Sequence, residues 1–211
     1  MDATTGGLTD AQQQAVSQTK GPVLVLAGPG SGKTTVVTRR ISHLIESGIP
    51  PWQILALTFT NKAAGEMRDR VLALIDEEKV NVRGLTVSTF HAFCARILRQ
   101  WGDRIIGTNT FTIYDTSDQK SAVKEAIKAC DLSDSNWRPA SVLAAISTAK
   151  NKLIDPVTFE SEAYDFYSKS IAKLYRSYDE ILRGNDAVDF DDLLMKTAQL
   201  LQRDEEVRGN L

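Results

Sequence analysis

The most constraining feature of this 211-residue chain is a glycine-rich loop that joins an apolar run to a helical pattern. The run "PVLVLAG" covers residues 22–28, and the loop "AGPGSGKTT" covers residues 27–35. A nearly continuous apolar run predicts a strand that is buried on both faces. A strand, a glycine-rich loop and a helix in this order favour an α/β fold whose loop holds phosphate groups.

Two further apolar runs, "ILALTFT" at 54–60 and "LTVSTF" at 85–90, also predict strands, and helical patterns lie between them. This alternation implies a parallel sheet with right-handed crossovers. After "FTIYD" at 111–115, apolar residues at helical spacing dominate, which predicts a mostly helical inserted subdomain. We therefore predict an α/β fold with three segments, namely residues 1–110, 111–190 and 191–211.

Composition narrows the class of protein further. The hydrophobic fraction of 42% and the charged fraction of 25% are typical of soluble globular proteins. No apolar run approaches the roughly 20 residues of a membrane span, and we expect a cytoplasmic protein with reduced Cys94 and Cys130. Residues 1–110 carry a net charge of +3 and residues 111–211 carry −5, which weakly favours a polyanion partner for the first part.

The loop has the residue types that phosphate chemistry requires. Gly28, Gly30 and Gly32 allow a tight turn whose N–H groups point at an anion near the start of a helix. We predict that Lys33 reaches the β- and γ-phosphates and that the Thr34 hydroxyl binds Mg²⁺, as the two catalytic residues of the chain. The alternative is a glycine-rich turn with a chance lysine. The predicted nucleotide-binding residues are Gln12, Gly28, Pro29, Gly30, Ser31, Gly32, Lys33, Thr34 and Thr35.

Polar and aromatic side chains also follow the two later strands. In an open parallel sheet, the carboxyl ends of the strands form the edge at which ligands bind. Hydroxyl, amide and lysine groups there are suited to DNA phosphates, and an aromatic ring is suited to base stacking. Phe90 and Phe93 match the buried helical spacing and are more simply core residues. The predicted DNA contacts are Thr58, Phe59, Thr60, Asn61, Lys62, Thr89 and His91.

With these stretches placed, the chain resembles the N-terminal part of a superfamily 1A DNA helicase of the Rep/UvrD/PcrA type. "LTDAQQQAV" resembles the Q motif of that family, "AGPGSGKTT" its motif I and "LTFTNKAAGEM" its motif Ia. The resemblance implies a RecA-like P-loop domain with an incomplete sheet, which binds ATP and Mg²⁺. It also implies translocation on single-stranded DNA, normally 3′ to 5′, at duplex junctions in repair or replication. Spacing alone favours a short helix capped by Thr9 or Asp10 around Gln12, and a capping or packing role for His91. By resemblance, Gln12 contacts adenine and Thr60, Asn61 and His91 contact DNA.

The stretch "NDAVDFDDLLMK" at 185–196 tests whether the chain holds a second catalytic carboxylate. Such a carboxylate follows a buried apolar strand, and Asn185 to Val188 do not form one of that kind. We predict instead that Asp189 or its neighbours cap a helix. The resemblance then implies that the chain ends before the Walker B motif, without the 2A and 2B domains, and that alone it neither hydrolyses ATP at a useful rate nor unwinds DNA.

Two other functions stay open at this point. A helicase subunit of a helicase–nuclease complex would share every motif above. A nucleotide-dependent DNA-binding module would use the loop as a switch without acting as a motor. A small-molecule kinase is disfavoured, because the sequence has no arginine-rich lid pattern near the loop.

Overall fold

The computed structural model describes residues 6–75, 82–133 and 136–211. The chain divides into two compact units, Met1–Phe90 and His91–Leu211. The domain limits that the sequence suggested differ from this division, and they stay predictions.

The first unit contains a short parallel sheet covered by helices. Strands β1 and β2 pair in parallel, with Leu55 opposite Thr86 and Thr58 opposite Thr89. Both strands were predicted from the sequence and are confirmed. Its elements are α1 (Asp10–Ser17), α2 (Lys33–Glu46), β1 (Leu55–Thr58), α3 (Asn61–Leu74) and β2 (Thr86–Thr89). Its apolar core contains Ile41, Ile45, Ile54, Met67, Val71, Ile75 and Leu85.

The strand predicted over residues 22–28 is wrong. Within the described part of the chain, β1 and β2 pair only with each other, and no strand is formed over this run. Leu24 and Leu26 are therefore 83% and 87% exposed, although the run was expected to be buried on both faces. A strand is stabilised by neighbours along both edges, and apolar composition alone does not supply them.

The second unit is mostly helical. The strands β3 and β4 pair in parallel, with Thr112 opposite Ala187 and Ile113 opposite Val188. No helix among the described residues is long and apolar enough to cross a membrane. Its elements are α4 (Phe90–Trp101), β3 (Thr112–Ile113), α5 (Thr116–Ala129), α6 (Pro139–Asn151), α7 (Pro156–Glu162), α8 (Phe166–Gly184), β4 (Ala187–Val188), α9 (Phe190–Arg203) and α10 (Glu205–Gly209).

Two apolar cores hold the second unit together. One joins α5, α6 and α8 and includes Val123, Ile146 and Leu174. The other joins α4, α9 and α10 and includes Leu98 and Leu193. The apolar spacing in the sequence predicted these helical faces, and most of their residues are buried. Phe166 and Tyr167 were also expected on the apolar face of α8, and they are instead 80% and 56% exposed at its start.

Most of the helices begin with a side-chain cap. The first N–H groups of a helix have no partner within the helix, and an oxygen of the capping side chain accepts a hydrogen bond from one of them. These hydrogen bonds from backbone N–H groups lower the pKa of Asp115, Asp155 and Asp165. The capping residues are Thr9, Thr60, Asp115, Asp155, Asp165, Asp189 and Asp204.

A buried ion cluster ties α6 to the start of α9. The Lys150 ammonium lies 2.7 Å from Asp189 Oδ2 and 2.8 Å from Asp192 Oδ2. Tyr178 on α8 donates its hydroxyl to Asp189 Oδ2 at 2.9 Å, and its ring lies 5.1 Å from the ammonium. All four side chains are nearly inaccessible to solvent. The cluster therefore links three helices by charge-assisted hydrogen bonds in the interior.

The cluster shifts the pKa values of its members. Burial raises the pKa of Asp192, and the nearby Asp189 carboxylate adds to that effect while Lys150 opposes it. Burial also acts to raise the pKa of Asp189, but the Lys150 ammonium and further hydrogen bonds hold that pKa below its ordinary value. Burial raises the pKa of the Tyr178 hydroxyl, and the charge of Asp189 raises it further.

Removing the buried ammonium should destabilise the second unit strongly. In Lys150→Ala, two buried carboxylates would face each other without a cation, so we expect the free energy of unfolding to fall by about 3–5 kcal/mol. Urea denaturation followed by circular dichroism measures this loss. The exposed Lys152 is the matched control, and Lys152→Ala should change stability by less than about 0.5 kcal/mol. Equal stabilities of the two variants would contradict the role given to the cluster.

Candidate functional site

The glycine-rich loop adopts a local geometry that two glycines make possible. Gly30 and Gly32 have φ angles of +75° and +80°, in the left-handed region that other residues rarely adopt. Ser31 closes the turn, because its hydroxyl donates to the Gly28 carbonyl at 2.7 Å. A Cβ atom on Gly32 would also lie 3.1 Å from Gln12 Nε2. The loop therefore requires glycine at position 32 for both conformation and space.

The predicted catalytic lysine lies over the loop itself. Lys33 is the first residue of α2, and its ammonium donates to the Ala27 carbonyl at 3.1 Å and the Gly28 carbonyl at 2.7 Å. The next residue, Thr34, is exposed in the first turn of the helix. The structure thus brings the lysine and the threonine to the same end of α2.

Helix α2 is not capped by a side chain. The residue before it is Gly32, which makes no side-chain hydrogen bond to the helix, whereas α1 and α3 are capped by Thr9 and Thr60. The first N–H groups of α2 are consequently left for another acceptor. These groups and the partial positive charge of the helix end favour an anion such as phosphate.

Gln12 connects helix α1 to the loop. Its Oε1 accepts a hydrogen bond from the Thr9 N–H at 2.9 Å, as part of the capping box that begins α1. Its Nε2 donates to the Ser31 carbonyl at 2.9 Å. The sequence suggested Gln12 as a contact to a base, and spacing alone suggested only a capped helix. The cap at Thr9 is confirmed, and the contact to adenine stays a prediction.

The arrangement also suits a magnesium ion held together with a nucleotide. Mg²⁺ in such sites is bound by one or two protein oxygens, with phosphate oxygens and water completing the shell. The exposed Thr34 hydroxyl beside the open helix end supplies one such oxygen. Within the described ranges, no group of three or more His, Cys, Asp or Glu side chains could hold a metal ion. Thr34 remains the predicted protein ligand.

A second candidate surface lies where β1 and β2 end. Because the strands are parallel and Thr58 pairs with Thr89, both ends reach the same edge. Thr58 and Thr89 are themselves buried, and the Thr58 hydroxyl donates to the Thr60 carbonyl at 3.1 Å. The Thr60 hydroxyl accepts from the Ala63 N–H at 3.1 Å and begins α3. Thr60 is exposed at this edge, and the contacts of the three threonines with DNA stay predictions.

Two aromatic rings form the exposed part of this edge. Phe59 is 92% exposed, and its ring lies 5.7 Å from that of Phe90 in a tilted arrangement. The prediction that Phe90 is a core residue is wrong, because it is 41% exposed at the junction of β2 and α4. Phe93 packs against the core of α4 as predicted. Helical spacing marks a face of α4, but the first residue of a helix lies at its open end, where neighbours are fewer.

The other predicted DNA contacts differ in exposure. Asn61 and Lys62 are exposed in the first turn of α3, with the Lys62 ammonium 4.0 Å from Glu66. His91, in the second unit, is half-buried, and its ring meets Phe190 edge to face at 5.7 Å. As a single residue it was expected to pack or to cap, and it packs. Its contact with DNA stays a prediction.

The carboxylates near residue 190 serve the fold. Asp189 is the N-cap of α9, and it forms a capping box with Asp192. The interpretation of Asp189 as a helix cap is therefore confirmed. Of residues 185–188, which precede it, only Ala187 and Val188 form a strand, and that strand has two residues. Asp189 and Asp192 share Lys150 within the second unit.

The partners of these carboxylates were not predicted from the sequence. Lys150 lies 39 positions before Asp189, so no local pattern links the two residues. Tyr178 fell within a predicted apolar face, and its hydroxyl gave no separate signal. The one available signal was the position of Lys150 on the same helical face as Val142 and Ile146, since an unpaired lysine rarely occupies an apolar face.

Comparison with known proteins was consistent over nearly the whole chain. Residues 8–211 match the family described as "UvrD/REP helicase N-terminal domain". The match includes the glycine-rich loop, the β1 and β2 edge and the carboxylates of α9.

Individual relatives agree with the family match. The chain is 44% identical over 204 residues to an "ATP-dependent DNA helicase PcrA" of Staphylococcus epidermidis, covering 96% of this chain and 28% of that protein. Proteins of the same name are 43% identical in Leuconostoc citreum and 42% identical in Staphylococcus aureus. These two matches cover 96% and 98% of this chain, and 27% and 28% of the respective relatives.

The loop geometry gives a test of nucleotide binding. Gly32→Ala would place a side chain in the left-handed region and against Gln12, which costs about 1–2 kcal/mol. We expect affinity for a fluorescent ATP analogue to fall about tenfold or more. Gly65→Ala in α3 is the control, because a Cβ there meets nothing within 4 Å and φ is not positive. Unchanged affinity in Gly32→Ala, with the fold intact, would exclude this loop as the phosphate site.

Proposed function

Since the chain belongs to the UvrD/REP helicase family, we propose that it is the RecA-like, ATP-binding part of a helicase that moves along single-stranded DNA. The chain spans about 28% of the length of its curated relatives, so the motor activity of a longer protein is part of the proposal. The observation that carries it is the uncapped start of α2 beneath a glycine-rich loop with Lys33 over it.

On the nucleotide side, the residues of the first unit bind and orient a triphosphate. The N–H groups after Gly32 and the Lys33 ammonium would share the negative charge of the phosphates, once Lys33 leaves the carbonyls that it now contacts. Pro29, Ser31 and Thr35 complete the loop and the first turn of α2. Thr34 would hold Mg²⁺, which neutralises phosphate charge when it is bound.

Gln12 would contact the adenine base. Its amide offers both a donor and an acceptor, as recognition of adenine requires. One of the two N–H groups of Nε2 donates to the Ser31 carbonyl, and the other is left for adenine, so the same amide would join the base to the loop. Base recognition would in this way be coupled to loop conformation.

On the DNA side, the exposed groups at the ends of β1 and β2 would contact a single strand. Phe59, supported by Phe90, offers a ring for base stacking. Lys62 and Asn61 would contact phosphates beside the start of α3. Thr58, Thr60 and Thr89 would hold this edge in shape. His91 stays a predicted contact by resemblance alone.

The resemblance completes the functional proposal. It implies movement from 3′ to 5′, action at junctions between single-stranded and duplex DNA, and a role in repair or replication in the cytoplasm. It also implies that the rest of the helicase chain, with its 2A and 2B domains, provides the second RecA-like lobe that closes the cleft at the ATP site. Loops at the strand ends would grip and release the DNA backbone as that site opens and closes.

A nucleotide-dependent DNA-binding module is the second candidate for these 211 residues taken alone. It is favoured by the commitment of Asp189 and Asp192 to Lys150, which leaves neither carboxylate to orient a water molecule for hydrolysis. In that case ATP would change DNA affinity without being consumed.

Hydrolysis by the 211-residue polypeptide should be negligible. The apolar run at 71–75, which precedes Asp76 and Glu77, ends helix α3 and does not form a strand. An arginine finger from a second lobe is worth about 10³–10⁵ in rate. We expect the steady-state ATPase rate, with or without single-stranded DNA, to equal that of Lys33→Ala. DNA-stimulated turnover that Lys33→Ala abolishes would mean that a catalytic carboxylate is present after all.

The aromatic edge should account for much of the DNA affinity. Stacking on an aromatic ring is worth about 1–3 kcal/mol per base, so Phe59→Ala should weaken binding of labelled single-stranded DNA about five- to 150-fold. Fluorescence anisotropy with and without a non-hydrolysable ATP analogue measures this effect. Phe166→Ala is the matched control, because Phe166 is similarly exposed but lies in the second unit. An equal effect of both variants would remove the edge of β1 and β2 from the proposal.

A further inference from the structure

A groove in the second unit is lined by residues that the proposed function does not use. It runs along the first two turns of α8, beside the end of α7, and its volume is about 380 Å³. The lining combines apolar surface with two lysine side chains. The lining residues are Glu160, Ala163, Phe166, Lys169, Ser170 and Lys173.

The start of α8 exposes two large side chains to solvent. Phe166 lines the groove and is 80% exposed, and Tyr164, two positions earlier, is 85% exposed. Within the described ranges the ring of Phe166 contacts no other aromatic ring, whereas its neighbour Tyr167 stacks on Trp137 at 5.5 Å. Exposed apolar surface beside a groove is typical of an interaction site, and an aromatic side chain commonly anchors the partner there.

Two lysines give the groove a positive rim. Lys169 and Lys173 are four positions apart, so their side chains lie on the same face of α8. Both are exposed, and neither forms an ion pair with a carboxylate in the part of the chain that the structure describes. Their ammonium groups are therefore available to carboxylates of a partner.

The carboxylates near the groove are engaged or lie outside it. Glu160, on the α7 side, forms an ion pair with Arg176, which balances its charge. Asp165 caps α8 and lies outside the lining; backbone hydrogen bonds lower its pKa, and the charge of Lys169 adds to that effect. Glu162 is exposed at the end of α7, also outside the lining. The lining itself keeps an excess of positive charge.

The size of the groove favours a short acidic peptide over a nucleic acid. Phe166 and Lys173 are seven positions apart, which is about 10 Å along a helix, and about three residues of an extended peptide span that length. Residues 111–211 carry a net charge of −5, which opposes the approach of a long polyanion. A short segment with an apolar residue between carboxylates meets only the local positive rim.

We propose that this groove binds an extended acidic segment of a partner protein, with an apolar side chain of the segment packed on Phe166 and its carboxylates paired with Lys169 and Lys173. The inference does not rest on ATP or DNA binding, because every lining residue belongs to the second unit.

The test uses the peptide Asp-Asp-Leu-Phe-Asp, acetylated and amidated at its ends, and the 211-residue chain. Two-dimensional NMR of the ¹⁵N-labelled protein locates and titrates the peptide, and we expect saturable shifts confined to the end of α7 and the first turns of α8. The neutral peptide Asn-Asn-Leu-Phe-Asn should bind about five- to tenfold more weakly, since it lacks the ion pairs. Asp-Asp-Ser-Ser-Asp should bind about tenfold or more weakly, since it lacks the apolar side chains.

Substitutions in the groove identify the contacts. Phe166→Ala should weaken binding of the acidic peptide about tenfold. Lys169→Gln and Lys173→Gln should each weaken it about two- to fivefold. Lys120→Gln is the matched control, because Lys120 is an exposed lysine of α5 outside the lining, and it should preserve the affinity.

Three outcomes would overturn the proposal. Equal affinities for the acidic and neutral peptides, or no saturable shifts at the groove, would remove the acidic segment as its ligand. A loss of affinity for single-stranded DNA in Phe166→Ala would make the groove a nucleic-acid site instead. Shifts of the same resonances with protein concentration, in the absence of peptide, would make it a contact between two copies of the chain.

Discussion

The unsatisfied N–H groups at the start of each helix are the constraint on which this structure depends. In most helices a threonine or aspartate accepts a hydrogen bond from one of these groups, and the helix start is then complete within the protein. At α2 the preceding residue is Gly32, which has no side chain to offer and holds a left-handed conformation. The same physical requirement that stabilises the other helices therefore leaves an anion site at this one.

In the second unit, by contrast, carboxylates of the protein itself accept hydrogen bonds from the N–H groups at the helix starts. Asp189 caps α9, and the cap is anchored because Lys150 and Tyr178 bind its other oxygen. A carboxylate held in this way is kept ionised and immobile, which is valuable for the fold but removes it from chemistry with a phosphate or a water molecule. Its neighbour Asp192 is only partly satisfied, because its buried Oδ1 has no hydrogen-bond partner among the described residues.

Local patterns in the sequence predicted most of the helices and strands. They did not predict contacts between residues that lie far apart in the sequence. The positive φ of Gly32, the cap at Asp189 and the apolar face of α8 each follow from residues within one or two turns. The strand predicted at 22–28 was wrong because a strand requires neighbouring strands, which its own residues cannot specify. The ion pairs of Lys150 were not predicted for the same reason, since its partners lie about forty positions away. Among the candidate sites, the turn of the glycine-rich loop and the start of α2 at Lys33 were predictable, but the exposure of Phe90 was not.

Phosphate binding and hydrolysis are therefore separable in this chain on physical grounds. The loop is built by its own glycines, by Ser31 and by the tether from Gln12, and it has its shape although the run before it is unpaired. In the proposed function, binding of a triphosphate would draw on these local groups. Hydrolysis would also need a group that orients the attacking water. A chain with the first set of interactions and not the second is expected to bind nucleotide without consuming it.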